Sequence, residues 1–265
     1  MIEILKYIIL GVIQGVCEIL PVSSSAHLII VSEILNINDE SITFEIFLHI
    51  ASLLAIIVYM RKDLTNLISN NYKYLFKKNK EYKRDFNLII KLIISCIPIC
   101  IITLIFNNLI DYVNNTIWLI GLLLMINGVL IYKLTKINRL RCEVTFKDAL
   151  VIGLFQSLAC VPGLSRSGMC ISGGILSGLK KDKTAEYSFI LFIPIIMLAI
   201  IKELIFGFRL DLSKLYLYII SFIISFIFTY LSLKFLKRII KNNKFSLFGI
   251  YTFILGLITC VVYLK

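Results

Sequence analysis

The apolar residues of this chain fall in blocks of about twenty, and this spacing constrains the fold more than any other feature. At a rise of ~1.5 Å per residue, a helix of that length covers the ~30 Å apolar core of a bilayer. Only 17% of the 265 residues are charged and 59% are hydrophobic, whereas a soluble domain is about a quarter charged. The pattern predicts an all-α polytopic membrane protein with a single membrane domain over residues 1–265. The six predicted transmembrane helices are 42–60, 88–106, 116–134, 187–206, 215–233 and 245–263.

Two further apolar stretches are interrupted by polar residues before they reach that length. The first starts near Ile2 and breaks across Pro21–Ser25, and the second starts near Ala149 and breaks across Val161–Ser167. Ten to twelve mainly apolar residues follow each break, and twelve helical residues reach only ~18 Å. Because broken backbone at membrane depth needs cover from protein or a water-filled cavity, we expect two re-entrant helical hairpins.

The distribution of Lys and Arg predicts the topology. Basic loops stay on the cytoplasmic side of a membrane, whereas the loop Asn107–Asn115 has no Lys or Arg and Gly207–Lys214 is weakly charged. These two loops, the first hairpin and both termini are therefore predicted to lie outside, and the second hairpin to enter from inside. The same pattern accounts for the formal net charge of +12, so we expect no nucleic-acid binding. The basic segments are 61–87, Lys133–Lys147, Lys180–Lys183 and Lys234–Lys244.

The two interrupted stretches share an order of small and polar residues. A serine follows nine residues after a glutamine in each stretch, at Ser23 and at Ser165. Together with the opposed charge topology, this order predicts an inverted-topology repeat, with repeat 1 at about 1–134 and repeat 2 at about 147–263. The residues at matching offsets 0, 3, 4 and 7 are Gly11, Gln14, Gly15 and Glu18 in the first stretch and Gly153, Gln156, Ser157 and Cys160 in the second.

The first break carries candidate catalytic residues. Gln14 and Glu18 are four residues apart and share a helical face, and an ionisable residue at membrane depth is a functional candidate. Ser23, Ser24 and Ser25 precede a short helix, where they either cap it or help free amides bind an anion. His27 follows in the first turn as a candidate acid or base. His49, a lone histidine on an apolar helix, is interpreted as structural.

The second break carries a candidate anion clamp. Arg166 stands in Pro-Gly-Leu-Ser-Arg-Ser-Gly, residues 162–168, between two short helices. An arginine at this depth needs an anionic partner, and its planar guanidinium matches phosphate oxygens. The alternative is that Arg166 pairs with Glu18 across the repeat. Both interpretations hold together if that pair forms when no phosphate is bound.

These motifs resemble the paired signatures of the undecaprenyl-diphosphate phosphatase family, the bacitracin-resistance type. The resemblance rests on Gln-x3-Glu, Pro-Val-Ser-Ser-Ser-Ala-His at 21–27, Pro-Gly-Leu-Ser-Arg-Ser-Gly and Ile-Ser-Gly-Gly at 171–174, and it covers essentially the whole chain. It implies hydrolysis of undecaprenyl diphosphate to the monophosphate, which recycles the lipid carrier of peptidoglycan synthesis. It also implies a divalent cation such as Mg²⁺ or Ca²⁺, a multi-pass protein of the bacterial cell membrane, an active site facing outward and a homodimer.

The resemblance also implies roles for individual residues. Ser24 matches the candidate nucleophile, with a metal-activated water as the alternative, and His27 would carry a proton. Glu18 would hold the metal or position water, and Arg166 would clamp the diphosphate. Many family members have Glu in place of Gln14 and Thr in place of Cys170, which weakens the first as a metal ligand and removes a hydroxyl from the second. The implied substrate-binding residues are Gln14, Ser23, Ser25, Ser165, Ser167 and Cys170.

Two other functions compete with this interpretation. The membrane phosphatidic-acid phosphatase superfamily needs a second histidine after its arginine, but no histidine follows Arg166. A transporter or flippase of an anionic polyprenyl lipid would use the same repeats, broken helices and anion site. It would need the clamp but no nucleophile, so release of phosphate distinguishes the two.

Overall fold

The computed structural model describes residues 2–37, 42–206, 211–242 and 244–264. Apart from one isolated bridge, every regular element in these residues is a helix, so the predicted all-α class is confirmed. The α-helices are α1 (Ile2–Cys17), α2 (Ser24–Ile34), α3 (Ile42–Tyr59), α4 (Arg61–Lys77), α5 (Lys83–Ile105), α6 (Asn107–Asn114), α7 (Ile117–Leu134), α8 (Phe146–Leu158), α9 (Arg166–Leu176), α10 (Lys181–Phe206), α11 (Leu215–Lys241) and α12 (Ser246–Tyr263).

Each predicted membrane span coincides with a long helix. Five helices, namely α5, α7, α10, α11 and α12, are long and apolar enough to cross a membrane alone. The helix α3 qualifies only together with α4, from which it is separated by a bend of 77°. The described residues therefore contain five spans, or six if the bent pair counts as one, and the polytopic class is confirmed. Of the predicted outer loop Gly207–Lys214, residues 207–210 lie outside the described residues.

Two helices occupy segments that the sequence prediction treats as loops. The helix α4 lies in the basic segment 61–87, and α6 lies in Asn107–Asn115. Asp63 in the first turn of α4 and Lys77 in its last turn are placed as the helix dipole favours. The sequence prediction of helices rests on apolar blocks, so it does not detect a helix of mainly polar residues.

The two interrupted stretches form pairs of short helices, α1 with α2 and α8 with α9. Their breaks cover 18–23 and 159–165, a few residues earlier than predicted. The second helix of each pair begins directly after a serine at its N-cap position, Ser23 before α2 and Ser165 before α9, and of these two only the Ser165 side chain accepts a capping hydrogen bond. Ser24, Ser25 and Arg166 therefore belong to first helical turns. The suggestion that Ser25 caps α2 is wrong, since the N-cap is Ser23.

A cationic side chain closes each pair of short helices at its open end. Lys6 in α1 donates to the carbonyl of Leu35, just past α2, at 2.5 Å. Arg141 pairs with Asp148 in the first turn of α8 and donates to the carbonyl of Ser177, just past α9, at 2.5 Å. The start and the end of each pair thus lie side by side, as a re-entrant hairpin requires. Placement of these hairpins in the bilayer stays a prediction.

Both hairpins pack on a long helix through matching contacts. The Ser221 hydroxyl in α11 donates to the carbonyl of Tyr7 at 2.9 Å, and the Ser95 hydroxyl in α5 donates to the carbonyl of Ala149 at 2.7 Å. Ala149 follows Tyr7 by the same 142 residues that separate Gly153 from Gly11. These paired contacts are of the kind expected for an inverted repeat, which itself stays a prediction. The boundaries of the two repeats stay a prediction.

The helices α7 and α12 cross at unusually short distance through glycines. A Cβ added at Gly128 would lie 2.5 Å from the carbonyl oxygen of Gly249, and one added at Gly121 would lie 2.9 Å from that of Gly256. Small residues allow such close approach between helices in membranes, where van der Waals packing replaces the hydrophobic drive. This crossing holds Asn127 of α7 against the two breaks.

The substitution Gly128→Ala is therefore expected to destabilise the protein. The added methyl group meets backbone atoms, which cannot rotate away, so the two helices must separate. Overpacking of this kind costs about 1–3 kcal/mol, and a lower melting temperature in detergent would report it. The control is Val129→Ala on the outward face of the same helix, where the residue is 39% exposed. Equal melting temperatures of the two variants would contradict the close crossing.

Candidate active site

Glu18 lies at the centre of the candidate site, in the turn that follows α1. The residue is only 6% exposed, yet its carboxylate accepts three hydrogen bonds. The donors are the Ser24 hydroxyl at 2.5 Å, the Gln14 side-chain amide at 3.0 Å and the Arg166 guanidinium at 2.6 Å. A buried charge is tolerated when it is paired and hydrogen-bonded. These donors therefore allow a buried carboxylate inside the protein.

Arg166 brings the second hairpin to this carboxylate from the first turn of α9. Its side chain is 14% exposed, and its guanidinium carbon lies 3.9 Å from the centroid of the Phe192 ring. An aromatic face stabilises a desolvated cation beside its ion pair. The pairing of Arg166 with Glu18 across the two stretches, which the sequence left as one alternative, is present in the structure.

Gln14 and His49 complete the surroundings of the carboxylate. The Gln14 side-chain nitrogen lies 3.2 Å from Nδ1 of His49, which is itself 3.7 Å from the Glu18 carboxylate. The Gln14 side-chain oxygen is buried and has no hydrogen-bond partner among the residues that the structure describes. The interpretation of His49 as purely structural misses this placement. A polar residue one helical turn after Glu45, on an otherwise apolar helix, is the signal in the sequence that points to it.

Backbone contacts lock the two breaks against each other. The Ser23 hydroxyl accepts a hydrogen bond from the amide of Gly163 at 3.0 Å. Asn127 donates to the carbonyl of Pro21 at 3.2 Å and accepts from the amide of Ser165 at 3.0 Å. These groups would otherwise be unpaired inside the protein, which costs free energy. Asn127 thus acts as a bridge that sequence reasoning missed.

The predicted substrate-binding serines of the second break contact the first break instead of lining an open surface. The Ser167 hydroxyl donates to the carbonyl of Leu20 at 3.1 Å, and the Ser165 hydroxyl lies 3.5 Å from the same carbonyl. Cys170 is fully buried, and its thiol donates to the side-chain oxygen of Gln156. The substrate-binding role of these three residues stays a prediction.

His27 is held by two hydrogen bonds in one orientation. Its Nδ1 lies 2.7 Å from the carbonyl oxygen of Ser23, which can only accept, so Nδ1 carries the proton. In the neutral ring, Nε2 then accepts a hydrogen bond from the Tyr251 hydroxyl at 2.8 Å. Neither ring nitrogen of His27 is bonded to Ser24 or Glu18. Tyr251 stands in an apolar helix far along the chain, and sequence reasoning missed it.

Ser23 has a backbone conformation that few residues other than glycine adopt. Its φ is +69° and its ψ is +93°, in a region that costs about 1–3 kcal/mol for a residue with a side chain. This conformation turns the Ser23 carbonyl towards His27 and leaves Ser24 half-buried and Ser25 exposed. Ser23 is therefore a packing residue, and the two serines that follow it remain accessible.

A family model and several known proteins are similar to this chain over nearly its full length. The family model for the bacitracin resistance protein BacA matches residues 7–258. Undecaprenyl-diphosphatase 3 of Bacillus anthracis is 35% identical over 262 residues, which cover 97% of each chain. The undecaprenyl-diphosphatase of Oceanobacillus iheyensis is 33% identical over 264 residues, which cover 97% of this chain and 96% of the relative. Undecaprenyl-diphosphatase 1 of Shouchella clausii is 34% identical over 269 residues, with 98% and 96% covered.

A double-mutant cycle between Glu18→Gln and Arg166→Gln should reveal strong coupling in stability. Either single change leaves the other charge buried and unpaired, which costs about 3–5 kcal/mol. The double variant leaves neither charge, so a coupling energy of about 2 kcal/mol is expected. Denaturant titration in mixed micelles measures the free energy of unfolding. The control cycle replaces Glu18→Gln with Glu3→Gln at an exposed residue, where additive effects are expected. Additivity in both cycles would contradict the ion pair.

Proposed function

The chain belongs to the bacitracin resistance protein family, and we propose that the cluster around Glu18 is where it carries out its reaction. It is an undecaprenyl-diphosphatase, which hydrolyses undecaprenyl diphosphate to undecaprenyl phosphate and inorganic phosphate. This reaction regenerates the lipid carrier of peptidoglycan synthesis and underlies resistance to bacitracin. One observation carries the placement: a single carboxylate contacts both the Ser24 hydroxyl and the Arg166 guanidinium.

In this proposal, Ser24 is the nucleophile and Glu18 is its base. The hydroxyl already donates to the carboxylate at 2.5 Å, within the reach that a general base needs. As Glu18 takes the proton, the Ser24 oxygen bonds to the terminal phosphorus, and the bond from that phosphorus to the bridging oxygen breaks. The electron pair leaves with undecaprenyl phosphate. Water then attacks the phosphorus of the phosphoserine and gives one proton to His27, and the bond from that phosphorus to the Ser24 oxygen breaks. The Ser24 oxygen takes back the proton held by Glu18, and His27 passes its proton to the departing inorganic phosphate.

Arg166 is proposed to clamp the diphosphate. Its planar guanidinium matches phosphate oxygens in a bidentate manner and stabilises negative charge on the transferring group. In the structure its anionic partner is Glu18, so an incoming diphosphate would take over part of that pairing. Glu18 would then be free to accept the proton of Ser24. Binding of substrate and activation of the nucleophile are thereby linked through one ion pair.

His27 is proposed to take a proton from the attacking water through its unprotonated Nε2. It lies three residues after Ser24 in α2 and therefore on the same face of the helix. Ser23 fixes the proton on Nδ1, and Tyr251 engages Nε2. Tyr251 is thus a positioning residue, and the attacking water would take the place of its hydroxyl as the donor to Nε2. These two hydrogen bonds support the role by fixing one tautomer of the ring.

A divalent cation, Mg²⁺ or Ca²⁺, is proposed to assist the reaction. Within the described residues no three His, Cys, Asp or Glu side chains converge as a metal cluster. The Gln14 amide donates to the Glu18 carboxylate through its nitrogen, and its buried oxygen has no hydrogen-bond partner among the described residues. The carboxylate and this amide oxygen are therefore two hard oxygen ligands on neighbouring side chains. Mg²⁺ commonly uses one or two carboxylates together with substrate phosphates. The bound cation would neutralise charge on the diphosphate, and Gln14 would supply a ligand without adding a second negative charge.

The site is proposed to open on the outer side of the cell membrane. A cavity of about 430 Å³ lies beside Ser25, and Asp111 and Asn115 also line it. Both belong to the segment Asn107–Asn115, which the charge distribution predicts to be outside. This shared lining supports access from that side for a lipid headgroup.

We also propose the homodimer that the family resemblance implies, to be tested by cross-linking in membranes.

Purified protein in detergent is expected to release inorganic phosphate from undecaprenyl diphosphate, and Ser24→Ala is expected to lower kcat about a thousandfold or more. Removal of a nucleophile in other hydrolases has effects of that size or larger. Release is also expected to stop when a chelator removes divalent cations. The matched control is Ser25→Ala, whose hydroxyl has no contact with Glu18 and whose loss should cost about tenfold at most.

Three results would argue against this account. Unchanged release by Ser24→Ala would exclude Ser24 and favour an activated water. Release that resists the chelator would exclude the cation. A failure of the folded wild-type protein to release phosphate would favour the transporter of an anionic lipid.

A further inference from the structure

A second and larger cavity lies at the opposite end of the molecule from Ser25. Its volume is about 920 Å³, which is within the range of sites for small ligands. It lies where α3 ends and α10 begins, beside the last turns of α11. The charge distribution predicts this end to be cytoplasmic, so the cavity falls at the level of the lipid headgroups of the inner leaflet.

The walls of this cavity are strongly basic. Six Lys or Arg residues and three Asp or Glu residues line it, a balance of 6 − 3 = +3. Among the described residues, Lys180 pairs with Asp182 at 3.5 Å and Lys183 pairs with Glu186 at 2.8 Å. The other four basic residues form no ion pair within the described part of the chain. These four are Arg139, Lys181, Lys237 and Lys241.

The cavity also has an apolar floor. Met60, Ala185 and Phe189 line it and are each less than 9% exposed. The lining therefore combines an apolar base with a cationic rim. A phosphate group bound at the rim would place the glycerol and upper acyl carbons of a lipid against that base. Free phosphate would fill the rim alone and leave the base uncovered.

The cavity beside Ser25 has no such basic lining, so the basic lining is specific to the predicted cytoplasmic side. The cavity beside Ser25 is lined by Glu33, Glu45 and Asp111 and by no Lys or Arg. The preference of basic residues for the cytoplasmic side explains why lysines occur at this end. It does not explain why α10, α11 and the segment before α8 direct them to one cavity of this size.

We propose that this basic cavity binds a phosphate-bearing anion on the cytoplasmic side, and that the phosphodiester headgroup of an anionic phospholipid fits it best. Basic pockets between transmembrane helices on that side suit such headgroups, because the cations add to the attraction of the apolar wall. The site is separate from the cluster around Glu18. The proposal does not depend on the hydrolase reaction, and its test uses binding alone.

The test compares two triple variants that remove the same charge. The cavity variant is Lys181→Gln, Lys237→Gln and Lys241→Gln, and the control variant is Lys77→Gln, Lys80→Gln and Lys83→Gln on exposed positions of the basic segment 61–87. Native mass spectrometry counts molecules of phosphatidylglycerol or phosphatidylcholine retained in detergent. Titration calorimetry with inorganic phosphate on delipidated protein distinguishes free anion from headgroup. Melting temperatures confirm that both variants are folded.

The wild-type protein is expected to retain phosphatidylglycerol in preference to phosphatidylcholine. The cavity variant should bind it at least about tenfold more weakly, and the control variant should change less than about twofold. Binding of inorganic phosphate that is lost only in the cavity variant would also support the site, with a free anion as its source. Equal weakening of phosphatidylglycerol binding in both variants would show that only the general surface charge matters, and would overturn the proposal. Absence of both lipid preference and phosphate binding in the wild-type protein would overturn it as well.

Discussion

The ion pair between Glu18 and Arg166 joins the two hairpins through residues that lie 148 positions apart in the sequence. Each hairpin alone would leave backbone groups and a charge unpaired inside the protein, which is costly. Together, the carboxylate of the first hairpin pairs with the guanidinium of the second. Asn127, Ser23 and Ser167 form hydrogen bonds with the backbone groups between them. The site therefore depends on both hairpins at once, and neither hairpin could form it alone.

The helices around this ion pair pack closely against one another. Glycines allow close contact of α1 with α11, of α8 with α5 and of α7 with α12. The short hairpins therefore pack directly against the long helices. Residues of the first break, including Ile19 and Val22, are packed in the same core as Phe192, whose ring lies under Arg166. Low dielectric surroundings strengthen the attraction between the charges and would also strengthen their interaction with a diphosphate.

The sequence predicts the membrane spans and the two halves of the site, because apolar blocks and polar breaks are local patterns. Glu18, Ser24 and Arg166 stand out as polar residues where none is expected. What the sequence does not predict depends on contacts between distant segments. His49 reaches Gln14, Tyr251 reaches His27 and Asn127 bridges the breaks only once the helices have packed. The helix α4 escapes prediction for another reason, since its polar surface gives no apolar block.

The most direct test of the central claim is a double-mutant cycle on kcat/KM between Ser24→Ala in the first hairpin and Arg166→Gln in the second, with undecaprenyl diphosphate as substrate. Groups that act as one unit give strongly non-additive effects. The account predicts that the double variant is nearly as active as the weaker single variant. Losses that multiply, so that the logarithms of the two effects simply add, would show that the two hairpins act independently and would contradict a shared site.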